Sequence, residues 1–190
     1  MKTVGVLALQ GAFKKHMEML QLLGVHVLLV KKPEDLEKCN GLIIPGGEST
    51  VISRQMDFIG LTEKIREFGA EKPVFGTCAG LILMAENIFQ SDMKPFNFLS
   101  VDVERNAFGR QADSFLTDVE IRLNPKKQAT IFPAIFIRAP RIRKCSLEVE
   151  VLASFEEEPI LVRQGHHLGA TFHPELTNDT SIHAYFLKML

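Results

Sequence analysis

The stretch Gly76-Thr77-Cys78-Ala79-Gly80 constrains this chain more than any other. Before it runs Lys72-Pro73-Val74-Phe75, a short apolar segment that reads as a buried strand; after it runs Leu81-Ile82-Leu83-Met84-Ala85, which reads as a buried helix. A cysteine at a strand-to-helix turn, with glycines two residues away on either side, has the form of a nucleophile elbow in which Cys replaces Ser. The turn leaves no room for Cβ atoms at Gly76 and Gly80, and it thrusts the thiol out at the end of the sheet. The following helix N-terminus favours the thiolate, the nucleophilic form of the side chain. Chance produces such a pentapeptide in about one chain in a hundred of this composition, so the motif directs attention to the search for a base.

The surrounding pattern is that of an α/β protein. Val4 to Leu9 is almost continuously apolar, as for a parallel strand covered on both faces, and ends at Gln10-Gly11. Phe13, Met17, Leu20 and Leu23 share one helical face before Gly24. Strands are expected at Val25 to Val30 and at Gly41 to Ile44, the second ending in Pro45-Gly46-Gly47-Glu48-Ser49, with a short polar segment from Pro33 to Lys38 between them. Helices follow over Thr50 to Phe58 and Leu61 to Phe68. After Phe89 the pattern changes to strands, several alternating apolar with polar: Val101 to Arg105, Phe115 to Arg122, Ala134 to Ile137, Val149 to Phe155, Ile160 to Arg163 and Leu168 to Phe172. These suggest antiparallel strands at the sheet edge, and Ser181 to Leu190 closes the chain as a helix. The expectation is one domain over residues 1–190: a doubly wound, open mixed sheet with helices on both faces.

Ligands in such sheets collect at the carboxyl ends of strands. Gln10-Gly11, Pro45-Gly46-Gly47-Glu48-Ser49 and Cys78 all fall there, and the glycine pair reads either as an anion-binding concavity or as a plain turn. The base is His173, in Phe172-His173-Pro174-Glu175, also at a strand end. Pro174 biases His173 toward an extended backbone, and Glu175 is placed to accept a hydrogen bond from the imidazole. Cys78, His173 and Glu175 thus form an activated-nucleophile set. His16 and His26 read as surface or satisfied polar groups, His183 lies on the last helix, His166 and His167 read as exposed beside a turn at Gly165, and Glu156-Glu157-Glu158 as a solvated loop. Arg105 and Arg138 read in two ways, as clamps for a substrate carboxylate or as surface ion-pair partners.

Charge and cysteine usage narrow the class. A net charge of -1 suggests neither nucleic acid nor membrane as partner, and no apolar run is long enough for a bilayer span. The segment Met1-Lys2-Thr3-Val4-Gly5-Val6 reads as the approach to a strand rather than as a signal peptide. Cys39, Cys78 and Cys145 are odd in number, widely spaced and outside metal-ligand spacing, which suits a reduced cytoplasmic compartment and no metal.

With these residues in place, the chain resembles the triad glutamine amidotransferases. Gly76 to Gly80, Pro45-Gly46-Gly47-Glu48-Ser49-Thr50 and Phe172-His173-Pro174-Glu175-Leu176-Thr177 carry the likeness. Leu9-Gln10-Gly11-Ala12, Val103 to Gln111, Asp113-Ser114-Phe115 and Phe136 to Pro140 narrow it to the glutaminase subunits of pyridoxal 5′-phosphate synthases. Arg141 and the segment Phe89 to Ser100 depart from the pattern of those subunits. The resemblance implies that Cys78 attacks the side-chain amide of L-glutamine, that His173 moves protons and that Glu175 orients it. It implies glutamine binding by Gly47, Glu48, Ser49, Arg105, Ile137 and Arg138, and an oxyanion hole made by the N–H groups of Gly47 and Ala79 with help from Gln10. It also implies a (β/α)₈-barrel synthase partner that receives the ammonia, and no resident cofactor, since the cofactor is the product. Two other readings compete: a cysteine hydrolase of the PfpI type, whose His lies close after the Cys, and a glutamine-sensing or docking subunit without activity. The 95-residue separation of Cys78 from His173 weighs against the first, and the intact triad against the second.

Overall fold

A computed structural model describes residues 2–105 and 114–190. The stretch from Asn106 to Gln111 and Asp113, which narrowed the resemblance, lies outside the described residues. Among the described residues twelve strands and six α-helices follow one another, in the order β1 (Thr3–Leu7), α1 (Phe13–Leu22), β2 (His26–Val30), α2 (Pro33–Leu36), β3 (Gly41–Ile44), α3 (Ser49–Phe58), α4 (Leu61–Glu71), β4 (Val74–Thr77) and α5 (Ala79–Met84). There follow β5 (Ala85–Ile88), β6 (Leu99–Glu104), β7 (Ser114–Ile121), β8 (Thr130–Ile137), β9 (Arg141–Cys145), β10 (Glu150–Phe155), β11 (Glu158–Gln164), β12 (His167–Ala170), a 3₁₀ turn at Pro174–Leu176 and α6 (Ser181–Leu187).

Seven strands form one mixed sheet in the order β10-β11-β12-β4-β3-β1-β2. The five from β12 to β2 run parallel, and β10 and β11 add antiparallel pairs at one edge. Side chains alternate between the two faces at the period-2 spacing of a strand. Val4, Val6, Ile43, Phe75, Leu168 and Ala170 pack into a core with α1, α6 and the β7–β8 hairpin. Leu7, Leu42, Ile44 and Val74 pack into a second core with residues of α2 to α5, β5 and β6. The expected open mixed sheet covered on both faces is the observed architecture.

Several expectations are corrected. Only β10 and β11 of the late strands join the edge of the main sheet; β7 and β8 pair with each other, and β6 lies between β5 and β9 in a separate three-stranded sheet. Strands β5 and β9 were not expected. The first begins directly at the end of α5, where Ala85 turns extended at ψ 165° without any turn residue as a signal. The second reads Arg-Ile-Arg-Lys-Cys and buries only Ile142, so its pairing with β6 leaves no apolar alternation in the sequence. Helix α1 buries His16, Met19 and Leu20, whereas Met17 is only half-buried. Glu158 is no solvated loop residue: it opens β11 and takes ion pairs from Arg141 (2.8 Å) and Arg143 (2.6 Å). Glu156 and Glu157 do form the hairpin turn before it, both at positive φ. No helix of the described residues is long and apolar enough to cross a membrane.

His167 is buried, not exposed: the hairpin turn at Gly165 folds its ring flat against Phe98, centroids 4.8 Å apart. Burial, with His166 adjacent, lowers its pKa from 6.5 to about 4. Between those values the unfolded chain binds a proton that the folded chain refuses, so stability falls as pH drops through that window. The urea midpoint is therefore expected to be lower at pH 5 than at pH 7. His167→Phe, which keeps the stack on Phe98, should shrink that difference; an unchanged difference would place the proton uptake elsewhere.

Candidate active site

Strand β4 delivers Cys78 to the site, and close packing sets its shape. A Cβ on Gly80 would strike the carbonyl oxygen of Ile44, and one on Gly76 would meet the Gly80 backbone and Met84 Sδ. Helix α5 thus starts hard against β3 and β4, and the chain reverses in the single residue between strand and helix. Cys78 takes up the turn with φ 50° and ψ -104°, a conformation that costs a non-glycine residue about 1–3 kcal/mol. Its N–H is tied to the Ala170 carbonyl of neighbouring β12 at 2.8 Å. The expected elbow is present, with the glycines where a Cβ cannot fit.

His173 follows β12 with φ -109° and ψ 83°, outside the helical region that Pro174 disfavours for its predecessor but short of the extended backbone expected. Its ring lies over Gly46: a Cβ there would collide with His173 Cε1 and come within 3.4 Å of Cys78 Cβ. Gly46 thus provides the space in which imidazole and thiol approach each other. His173 Nδ1–H donates to Glu175 Oε1 at 2.7 Å. His173 and Glu175 are 6% and 2% exposed, so this pair sits in a low-dielectric setting where it is strong. Burial pulls the His173 imidazole down, but hydrogen bonds to Cys78 and Glu175 outweigh it and push the pKa up to about 10. Burial pulls Glu175 up, but the hydrogen bond and the charge of His173 help to hold it below the usual carboxylate range. The resting site therefore keeps a proton on His173 beside the sulfur.

A pocket of about 220 Å³ opens over these groups. Cys78, His173, Gly47, Glu48, Ser49, Arg105, Ile137 and Arg138 all line it. Arg138, at the end of β8, has φ 42° and stands 3.8 Å from Glu48 across the mouth, both side chains more than half exposed. Arg105 reaches in from the end of β6 and donates to Thr50 Oγ1 at 3.0 Å. The two readings of these arginines converge in part, because Arg138 faces a carboxylate of the protein and the pocket at once. Cys78 Sγ lies 3.8 Å from the Ile137 carbonyl oxygen. Gln10 stands behind the 45–49 loop, where its Oε1 accepts the Glu48 N–H at 2.8 Å; a Cβ on Gly47 would run into the same Oε1. Ala79 is buried as the first residue of α5, where a helix leaves its N–H groups without intrahelical partners.

Sequence reasoning missed a buried polar group beneath the triad. His16 and His183 are fully buried, and His16 touches Thr77, Glu175 and His183. The expectation that His16 was a surface or satisfied polar group holds in its second form. The signal available was weak: a histidine at an inward position of α1, one turn after Gln10-Gly11-Ala12. Gly11, Ala12, Gly46, Ile82 and Leu176 also line the pocket without having been singled out as binding residues.

Residues 6–190 match the SNO glutamine amidotransferase family. The chain belongs to that family. It is 47% identical over 188 residues to the pyridoxal 5′-phosphate synthase subunit PdxT of Brevibacillus brevis, covering 98% of this chain and 96% of that one. It is 48% identical to the subunit of the same name from Halalkalibacterium halodurans, covering 100% and 95% of the two chains. A crystal structure of a glutamine amidotransferase superposes with a TM-score of 0.90 at 44% identity, over 98% of this chain and 97% of that one. A second glutamine amidotransferase, from Thermotoga maritima, shares the fold at a TM-score of 0.61 and 13% identity, over 99% and 84%. Membership of the SNO glutamine amidotransferase family sets aside the PfpI-type reading.

Proposed function

We propose that this chain is the glutaminase subunit of a pyridoxal 5′-phosphate synthase, acting as one domain over residues 1–190. It hydrolyses L-glutamine to L-glutamate and ammonia and delivers the ammonia for vitamin B6 synthesis. The observation that carries the reading is the strained Cys78 elbow under a pocket with His173 and buried Glu175 behind it. Near-full-length identity to subunits named PdxT supports the physiological role.

In this reading Cys78 Sγ attacks the side-chain amide carbon of glutamine, and the sulfur–carbon bond forms as charge moves onto the amide oxygen. The N–H groups of Gly47 and Ala79 receive that oxygen. Gln10 supports this arrangement by pinning the neighbouring Glu48 N–H. The proton on His173 passes to the amide nitrogen, ammonia leaves, and a γ-glutamyl thioester remains. Water, giving a proton back to His173, then attacks the thioester and releases glutamate. Glu175 holds Nδ1 throughout, so Nε2 keeps facing the sulfur. The amino acid end of glutamine carries one positive and one negative group, and the Arg138–Glu48 pair at the pocket mouth offers the complement of each. Ser49, Arg105 and Ile137 complete the binding set.

The partner in this reading is a (β/α)₈-barrel synthase. Support for docking comes from an apolar groove of about 650 Å³ beside the site, where Ala8 and Leu9 follow β1 and Val51 and the 91%-exposed Phe58 project from α3. Three free, widely spaced cysteines support a cytoplasmic setting.

Glutamate release in the presence of the synthase tests the reading. Arg105→Ala and Arg138→Ala are each expected to raise KM about 10- to 100-fold, the worth of one charged hydrogen bond, with smaller effects on kcat. Unchanged KM in both variants would return the arginines to the role of surface ion pairs. Turnover of the isolated chain should be low and rise by about 10²–10³ on adding the synthase, the effect of completing one oxyanion donor. Equal turnover with and without partner would rule out activation by docking.

A further inference from the structure

Glu175 has two carboxylate oxygens, and the triad uses one. Oε1 accepts from His173. Oε2 is buried with no hydrogen bond of good geometry among the described residues, and the nitrogen facing it is His16 Nε2 at 3.4 Å. That nitrogen also lies 3.1 Å from Thr77 Oγ1, which in turn accepts the Gly46 N–H at 3.2 Å. On its other side His16 Nδ1 is 3.0 Å from His183 Nε2, and His183 Nδ1 has no hydrogen-bond partner among the described residues. The group joins α1, α6, the residue before Cys78 and the 3₁₀ turn that carries Glu175.

The position of the protons follows from what each ring nitrogen faces. Burial lowers the pKa of His16, and that of His183 to about 3, so both rings are neutral and each carries one N–H. If His16 held its proton on Nδ1, its bare Nε2 would face the lone pairs of a buried carboxylate. His183 would then accept at Nε2 and leave a buried Nδ1–H without any acceptor. Both features are costly, and orphaned buried N–H groups are rarer in proteins than under-used acceptors. With the proton of each ring on Nε2, His183 donates to His16, and His16 donates toward Glu175 Oε2 and Thr77 Oγ1. An acceptor, His183 Nδ1, and the hydroxyl proton of Thr77 then go without partners among the described residues, but no bare nitrogen faces the carboxylate and no ring N–H is orphaned.

We infer that His16 is a positioning residue: its Nε2–H, oriented by His183, grips the second oxygen of Glu175 and so fixes the carboxylate that orients His173. This rests on the proposed roles of Cys78, His173 and Glu175. Through Thr77 the same nitrogen is coupled to Gly46, so one imidazole ties the triad carboxylate to the loop that forms the other wall of the pocket. Substrate does not reach His16, which is fully buried and does not line the pocket. Its effect therefore falls on kcat rather than on KM.

The test measures glutamate release by the chain with its synthase partner for the wild type, Cys78→Ala, His16→Leu and His16→Gln, with thermal unfolding of each. His16→Leu removes the donor and is expected to lower kcat about 10- to 100-fold with KM within twofold, the scale of losing the hydrogen-bond support behind a functional side chain. His16→Gln can place an amide N–H where Nε2–H was and should recover most of that loss. A folded His16→Leu with wild-type kcat, or His16→Gln falling as far as His16→Leu, overturns the inference. If Cys78→Ala still turns over, the catalytic reading fails instead. Long-range nitrogen–proton NMR of the wild-type histidines, with His16 assigned through its contact with Phe75, needs no variant to fold. The Nε2–H tautomer of His16 is expected, and the Nδ1–H tautomer would overturn the proposal.

Discussion

The contact on which the rest of the site depends is that of α5 against the carboxyl ends of β3 and β4. Gly80 lies so close to the Ile44 carbonyl, and Gly76 so close to the Gly80 backbone, that neither position has room for a side chain. Strand and helix cannot be joined at that distance by relaxed backbone, and Cys78 carries the misfit in its φ of 50°. The strain is held by the two packed cores on either face of the sheet, which fix strand and helix independently of the residue between them. A thiol raised in this way faces the pocket while its backbone remains tied to β12.

Around that sulfur the protein builds a graded electrostatic setting. The pocket mouth holds the exposed Arg138 and Glu48, whose attraction is screened by solvent and easily exchanged for that of a charged ligand. Deeper in, His173 and Glu175 are buried together, and the desolvation of the imidazole is outweighed only by its hydrogen bonds to Cys78 and Glu175 and their charges acting together. Deeper still, neutral His16 and His183 fill space that a charged group could occupy only at great cost. Charge is thus kept where the proposed chemistry moves protons and excluded from the layer that holds the carboxylate still.

Much of this was legible in the sequence, for identifiable reasons. Parallel strands covered on both faces are continuous apolar runs, and the run from Gly41 to Ile44 has the same bounds in the sequence and in the structure. The elbow was legible because glycine is the only residue that fits at Gly76 and Gly80. The pairing of His173 with Glu175 is local, two residues apart, and so was also readable. What escaped were features set by long-range contact. His16 and His183 are 167 residues apart and meet only because α1 and α6 share a face of the sheet. The charged β9 is a strand because β6 offers it backbone partners, and His167 is buried because the loop carrying Phe98 folds over it. Gly46 reads in the sequence as half of an anion-binding concavity or of a plain turn, whereas in the fold it makes room for the His173 ring.

The central claim is that Cys78, alone among three cysteines, is the nucleophile of this pocket. Cys39 is buried with its thiol pushed up to about 11, and burial also raises Cys145. Treating the chain and its synthase partner with a glutamine-mimicking diazoketone, followed by peptide mass spectrometry, tests the claim directly. The account predicts one adduct per chain, on the peptide containing Cys78, that excess L-glutamine prevents. An adduct chiefly on Cys39 or Cys145, or labelling that glutamine does not slow, would contradict it.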